Sequence, residues 1–100
     1  MSIETIIKEE ARLVILKELE AQPGNSITSE AMRRYLLTDF VIDKPREWVE
    51  EEFRYLRDMK AIEITVARSV QIARLSERGL LHLNGTIAIA GIQRPTPKGH

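Results

Sequence analysis

The densest run of ionisable side chains lies between Pro45 and Lys60, PREWVEEEFRYLRDMK, with four bases and five acids in sixteen positions. Glu50, Glu51 and Glu52 are consecutive and so point in three directions, unlike a carboxylate pair set up for acid and base work. Arginine and glutamate are also residue types that meet nucleic acid. Arg46 and Arg54 are candidates for base edges or phosphates, and Glu47 and Glu50 could accept from cytosine. Other catalytic chemistry finds little support. There is no cysteine, hence no thiolate nucleophile and no thiolate metal site, and the two histidines, His82 and His100, stand eighteen positions apart. No Gly-rich phosphate loop occurs, and no Ser-His-Asp arrangement is supported by spacing. The expectation is a protein that is not an enzyme and carries neither metal nor cofactor.

The elements that position these residues follow from periodicity. Val49, Phe53, Leu56 and Met59 recur at helical spacing, so 45–60 reads as one amphipathic helix with Pro45 in its first turn and Asp43 or Lys44 at its cap. Glu47, Glu50, Glu51, Arg54 and Asp58 cluster opposite the apolar stripe, with Arg46 and Arg57 on its flanks. Counting Arg46, Arg54 and Arg57 against Glu47, Glu50, Glu51 and Asp58 leaves that face at minus one. The spacing also predicts ion pairs from Arg54 to Glu50 and to Asp58. Trp48 reads as packing at the core edge.

Upstream, residues 3–21 read as a helix whose apolar stripe widens at Leu13 to Leu16, either because the helix is central to the core or because one flank is a dimer interface. Gln22 to Asn25 stop it. Ile27 and Met32 have the spacing of a hydrophobic staple around an N-cap, which predicts a second helix near 29–39. Ala31, Tyr35 and Leu36 would face inward and Arg33 and Arg34 outward.

Downstream the period changes to two. Ile62, Ile64 and Val66 alternate with polar neighbours, then Val70, Ile72 and Arg74 alternate with Gln71 and Ala73, predicting a β-hairpin with Arg68 and Ser69 at its tip. Ser76 would cap a short helix to Leu83, closed by Asn84 and Gly85. His82 reads as a partly buried or surface histidine. Residues 86–92, TIAIAGI, read as an extended arm or extra strand. An exposed apolar strand needs a partner, which favours self-association.

The order defines an α+β fold: a winged helix-turn-helix with a three-helix core, a β-hairpin wing, a short fourth helix and an extended C-terminal arm. Residues 1–92 would form this domain and 93–100 a flexible basic tail holding Arg94 and Lys98. Fifteen bases balance fifteen acids overall, but 61–100 carries five bases against two acids. No signal peptide or membrane span is recognisable, which fits the cytoplasm.

Three segments carry a resemblance. SITSEAMRRYLL followed by WVEEEFRYLRDMKAIEI resembles the second and third helices of small winged-helix regulators, and ARLSERGLL resembles the L-[ST]-x-x-G signature that follows their wing. The ending, LSERG through NGTIAIAGIQRPTP, is similar to the carboxyl end of a family of small proteins from Mu-like bacteriophages and prophages, described as ArsR-like or winged-helix. The resemblance covers nearly the whole chain. It implies a phage-encoded DNA-binding protein of a bacterial host cell. The third helix would read the major groove, with Arg33, Arg34 and Lys44 at the rim, Arg68 at the neighbouring backbone or minor groove, and Arg94 and Lys98 as a tail clamp. The absent cysteines depart from ArsR-type metal sensing. The alternative expectation is a winged-helix interaction module without DNA binding, and a homodimer through the first helix and the arm suits either reading.

Overall fold

The computed structural model describes residues 2–96. Lys98, expected in the tail, lies outside the described residues.

Helix α1 spans Ile3–Ala21, capped by the Ser2 hydroxyl, which accepts from the Thr5 amide at 3.1 Å. Leu13, Val14, Ile15 and Leu16 are all buried by the chain's own elements. The wide stripe at Leu13 to Leu16 therefore faces the core of the chain itself. Only Ile3 and Ile6, at the amino end, remain exposed on this helix as large apolar groups.

A 3₁₀ turn at Pro23–Asn25 leads into strand β1, Ser26–Thr28, and helix α2, Ser29–Phe40. The Thr28 hydroxyl caps α2 through the Ala31 amide, Met32 is buried in the core and Ile27 packs against that core. Ala31, expected inward, is exposed, while Met32 and Leu36 fill the core. Helix α3, Arg46–Asp58, starts without a side-chain cap: Pro45 itself is the N-cap, and its carbonyl accepts from Trp48 and Val49. The expected cap at Asp43 or Lys44 is not used, because the chain turns one residue later than the proline rule suggests.

Strands β2, Ile62–Ala67, and β3, Val70–Leu75, form the hairpin with Arg68 and Ser69 as its two-residue loop. Strand β1 pairs with β3, giving an antiparallel sheet in the order β1-β3-β2. The register corrects the expected face of β3. Ile62 lies opposite Leu75 and Ile64 opposite Ala73, so the core-facing set is Gln71, Ala73 and Leu75, and Val70, Ile72 and Arg74 line the other face. A two-residue loop fixes that pairing whatever the hydrophobic alternation of β3 alone suggests.

Helix α4 spans Glu77–Leu83, capped by Ser76 through the Gly79 amide. Residues 86–92 are neither strand nor free arm. They fold back over the body, and Ile89 and Ile92 are buried in the same core as Phe53, Leu56, Ile15 and Leu19. The apolar arm that argued for a partner is covered within the chain. No helix of the described residues is long and apolar enough to cross a membrane.

Candidate nucleic-acid interface

Helix α3 owes its orientation to Val49, Phe53 and Leu56, which are fully buried, so the opposite stripe of Glu47, Glu51, Arg54 and Asp58 faces solvent. The three consecutive glutamates do separate. Glu51 is exposed, Glu50 is half-buried and Glu52 points inward beside the apolar stripe.

Glu52 meets Arg12 of α1 at 2.6 Å, with the two side chains only 5% and 12% exposed. Arg12 also donates to the Gly91 carbonyl at 2.8 Å and lies 3.7 Å over the Tyr55 ring. Tyr55 in turn donates to the Ala90 carbonyl at 2.8 Å. One guanidinium thus ties α1, α3 and the C-terminal segment together, and its charge is compensated by a carboxylate and a π face.

Glu50, expected to read bases, is occupied. It accepts from the Ser29 hydroxyl at 2.7 Å and lies 3.8 Å from the Arg46 Nε, at the junction of α2 and α3. That separation is too long for a hydrogen bond, and the Arg46 Nε is buried without one.

Arg33 donates twice to Glu30, and Arg34 comes within 3.4 Å of the same carboxylate. The Arg33 hydrogen bonds, reinforced by both guanidinium charges, hold the Glu30 carboxyl down to about 2, and Glu30 holds the Arg33 proton more tightly in return. Both arginines are outward, as expected, but their charge is shared with Glu30. Lys44 sits 5.6 Å over the Trp48 ring.

The largest departure concerns Arg54. Its expected partners are engaged elsewhere, Glu50 with Ser29 and Arg46, and Asp58 with Arg57 at 3.2 Å. Among the described residues Arg54 has no ion pair and stands exposed in mid-helix. Arg68 is exposed at the hairpin tip, with φ 61°. Arg94 is exposed beyond Gln93, whose amide and carbonyl are both bonded to the body.

Two cations absent from the expected set adjoin this surface. Arg57 and Lys60 line a shallow groove of about 380 Å³ with Ile62, Glu63, Ile64 and Ser76, where the end of α3 meets β2. The signal for them is their position: Arg57 is the last basic residue of α3 and Lys60 lies in the short turn from that helix into β2. No signal marks Ser29 as the partner of Glu50.

Among the described residues these observations define a small α+β domain of four helices and a three-stranded antiparallel sheet, with a mixed-charge helix face and a hairpin tipped by arginine. No family model matches the chain, and no curated protein or solved structure does either.

Proposed function

We propose that this chain is a winged helix-turn-helix DNA-binding protein, with α2 and α3 as the helix-turn-helix and the β2–β3 hairpin as the wing. The order of elements and the packing of α3 against α2 and β2 support this reading. The observation that carries it is the unpaired Arg54 in the middle of the outward stripe of α3, where a reading helix needs a free bidentate donor. Glu47 and Glu51 flank it and would restrict the bases tolerated nearby, since a carboxylate accepts only from an amino group such as cytosine N4. Arg68 and the Arg57 and Lys60 groove would supply phosphate attraction, with Arg94 and Lys98 behind them. Glu50 and Arg46 orient each other and Ser29 in this reading, and do not reach bases directly. The resemblance to proteins of Mu-like phages makes phage DNA the first duplex to test, transcriptional regulation the role, and the bacterial cytoplasm the setting.

The test is fluorescence anisotropy on pooled phage-genome fragments at low salt, repeated as salt is raised. Wild-type affinity should fall steeply with salt. An Arg54→Ala and Arg68→Ala double variant should bind more weakly: loss of Arg68 lowers the log-log salt slope by about one, for the phosphate no longer neutralised, and loss of Arg54 weakens binding by about 1–3 kcal/mol and relaxes base preference. No binding of any fragment at low salt by the folded protein would reject the reading.

A second reading has its own observation. Leu37, Phe40 and Val41 form an exposed apolar patch at the end of α2, which supports an interaction module on the same scaffold. Wild-type protein that ignores DNA but is captured by a partner through this patch would favour it, and Phe40→Ser separates the two readings because it leaves every cation in place.

A further inference from the structure

Strand β2 is an outer strand, since the order β1-β3-β2 leaves it bonded on one side only. The Ser76 amide donates to the Ala61 carbonyl at 3.1 Å, so the main chain of Ala61 points towards β3. At a period of two, so does that of Glu63, Thr65 and Ala67. The amides and carbonyls of Ile62, Ile64 and Val66 therefore point away from β3, and among the described residues no other main-chain group bonds to them. The devices that ordinarily protect such an edge are missing. Pairing with β3 runs unbroken from Ile62 and Leu75 to Ala67 and Val70, so there is no bulge, and the strand holds neither proline nor lysine. Val66 is 66% exposed at this edge. The one charge of the strand, Glu63, and Arg68 at the hairpin tip are both exposed, and neither has an ion pair among the described residues.

We propose that β2 pairs antiparallel with β2 of a second copy about a two-fold axis at Thr65, joining the two sheets into one. Residues opposite each other in an antiparallel pair share a face, so the choice of centre decides which side chains meet. Centred on Thr65, Ile64 lies opposite Val66 of the second copy and Val66 opposite its Ile64. These are the residues whose main chains point outward, so each pair exchanges two hydrogen bonds and the exposed Val66 is covered. On the other face Thr65 meets Thr65, and Glu63 meets Ala67. Arg68 falls beside Ile62 and Glu63 of the second copy, so each unpaired acid gains a cation from the other chain. Centred on Ile64 instead, Arg68 would lie opposite Lys60 of the second copy and like charges would meet. Centred on Val66, only Thr65 to Ala67 would overlap. The Thr65 centre also keeps the two bodies apart, because the two Ile62 residues then stand about 20 Å from each other along the strand. The occupant is a second copy because this edge carries its own complement, in charge and in apolar pairs. Pairing here is independent of the DNA reading; where both hold, duplex and second copy compete for Arg68.

Sedimentation equilibrium of the full chain without nucleic acid, joined to amide exchange, tests this. The average mass should rise from monomer towards dimer and no further as the concentration is raised to about 1 mM. Protection of the Ile64 and Val66 amides should rise in step with the dimer fraction, while that of Thr65, bonded to β3, stays constant. Thr65 is exposed, so Thr65→Asp and Thr65→Lys leave the fold intact and set like charges face to face at the axis. Each should weaken dimerisation by about fivefold or more, and an equimolar mixture of the two should restore it as a heterodimer. A monomer throughout, a dimer whose Ile64 and Val66 amides stay unprotected, a dimer indifferent to Thr65→Asp, or a mixture no better than either variant would each overturn the proposal. The wild-type mass and exchange decide the matter even where a variant misfolds, and neither depends on whether the protein binds DNA.

Discussion

Val41 is a β-branched residue held at φ 55°, 82% exposed, at the C-terminus of α2. The Val41 amide donates to the Leu37 carbonyl at 3.1 Å, so the helix ends in an αL turn at the position where glycine is preferred. Neither packing nor a side-chain bond offsets that conformation. Val41→Gly should therefore raise stability by about 1 kcal/mol, read as a higher denaturation midpoint with an unchanged urea slope. Gly79 shows the opposite case. A Cβ there would collide with the Ala61 backbone carbonyl and press on Leu75, because α4 begins directly against the end of α3. Gly79→Ala should cost about 2 kcal/mol or more in the same measurement. A weak or absent loss would mean that α4 can shift without cost. In the sequence Gly79 is the glycine of the L-[ST]-x-x-G resemblance, inside a short helix where glycine ordinarily lowers propensity. The backbone approach that requires it is not legible there.

At the scale of elements, the Arg12 and Glu52 pair is the hinge between α1 and α3. Removing one partner strands the other charge in a nearly closed site, so Arg12→Met should destabilise by about 3–5 kcal/mol. The double variant Arg12→Met with Glu52→Leu should recover most of that loss, because the cost lies in the uncompensated charge. A double variant no more stable than Arg12→Met would show that the contacts of Arg12 to Gly91 and Tyr55 dominate instead. Half of this pair is legible in the sequence. Glu52 falls beside Leu56 on the helical wheel, on the edge of the apolar stripe of α3, although as one of three consecutive glutamates it looks no different from Glu50 and Glu51. Its partner, forty residues away, has no local signature. The expected pairing of Arg54 fails for a related reason: spacing offers a carboxylate four residues away on either side, but the tertiary contact to Ser29 takes Glu50 and the adjacent Arg57 takes Asp58.

For the whole molecule, the proposed DNA reading depends on how charge is distributed once all pairs are made. The chain is neutral overall, so attraction to phosphate has to come from cations that folding leaves free, with Arg68 foremost among them and Arg54 reserved for base edges. A protein of this kind should bind duplex only at low to moderate salt, and the slope lost with Arg68 is the quantity that distinguishes a discrete phosphate contact from a diffuse field. The elements are largely legible in the sequence. The 3.6-residue and two-residue periods, the capping positions at Thr28 and Ser76 and the stop at Pro23 to Asn25 depend on neighbours a few positions apart, which the sequence carries directly. Those local signals determined four helices, the hairpin and the outward face of α3. The tertiary structure alone decided the face of β3, the fold-back of residues 86–92, the burial of His82 and the division of the arginines into paired and free. Each of these depends on contacts between segments distant along the chain, and periodicity cannot encode which distant group arrives to accept a proton or cover an isoleucine.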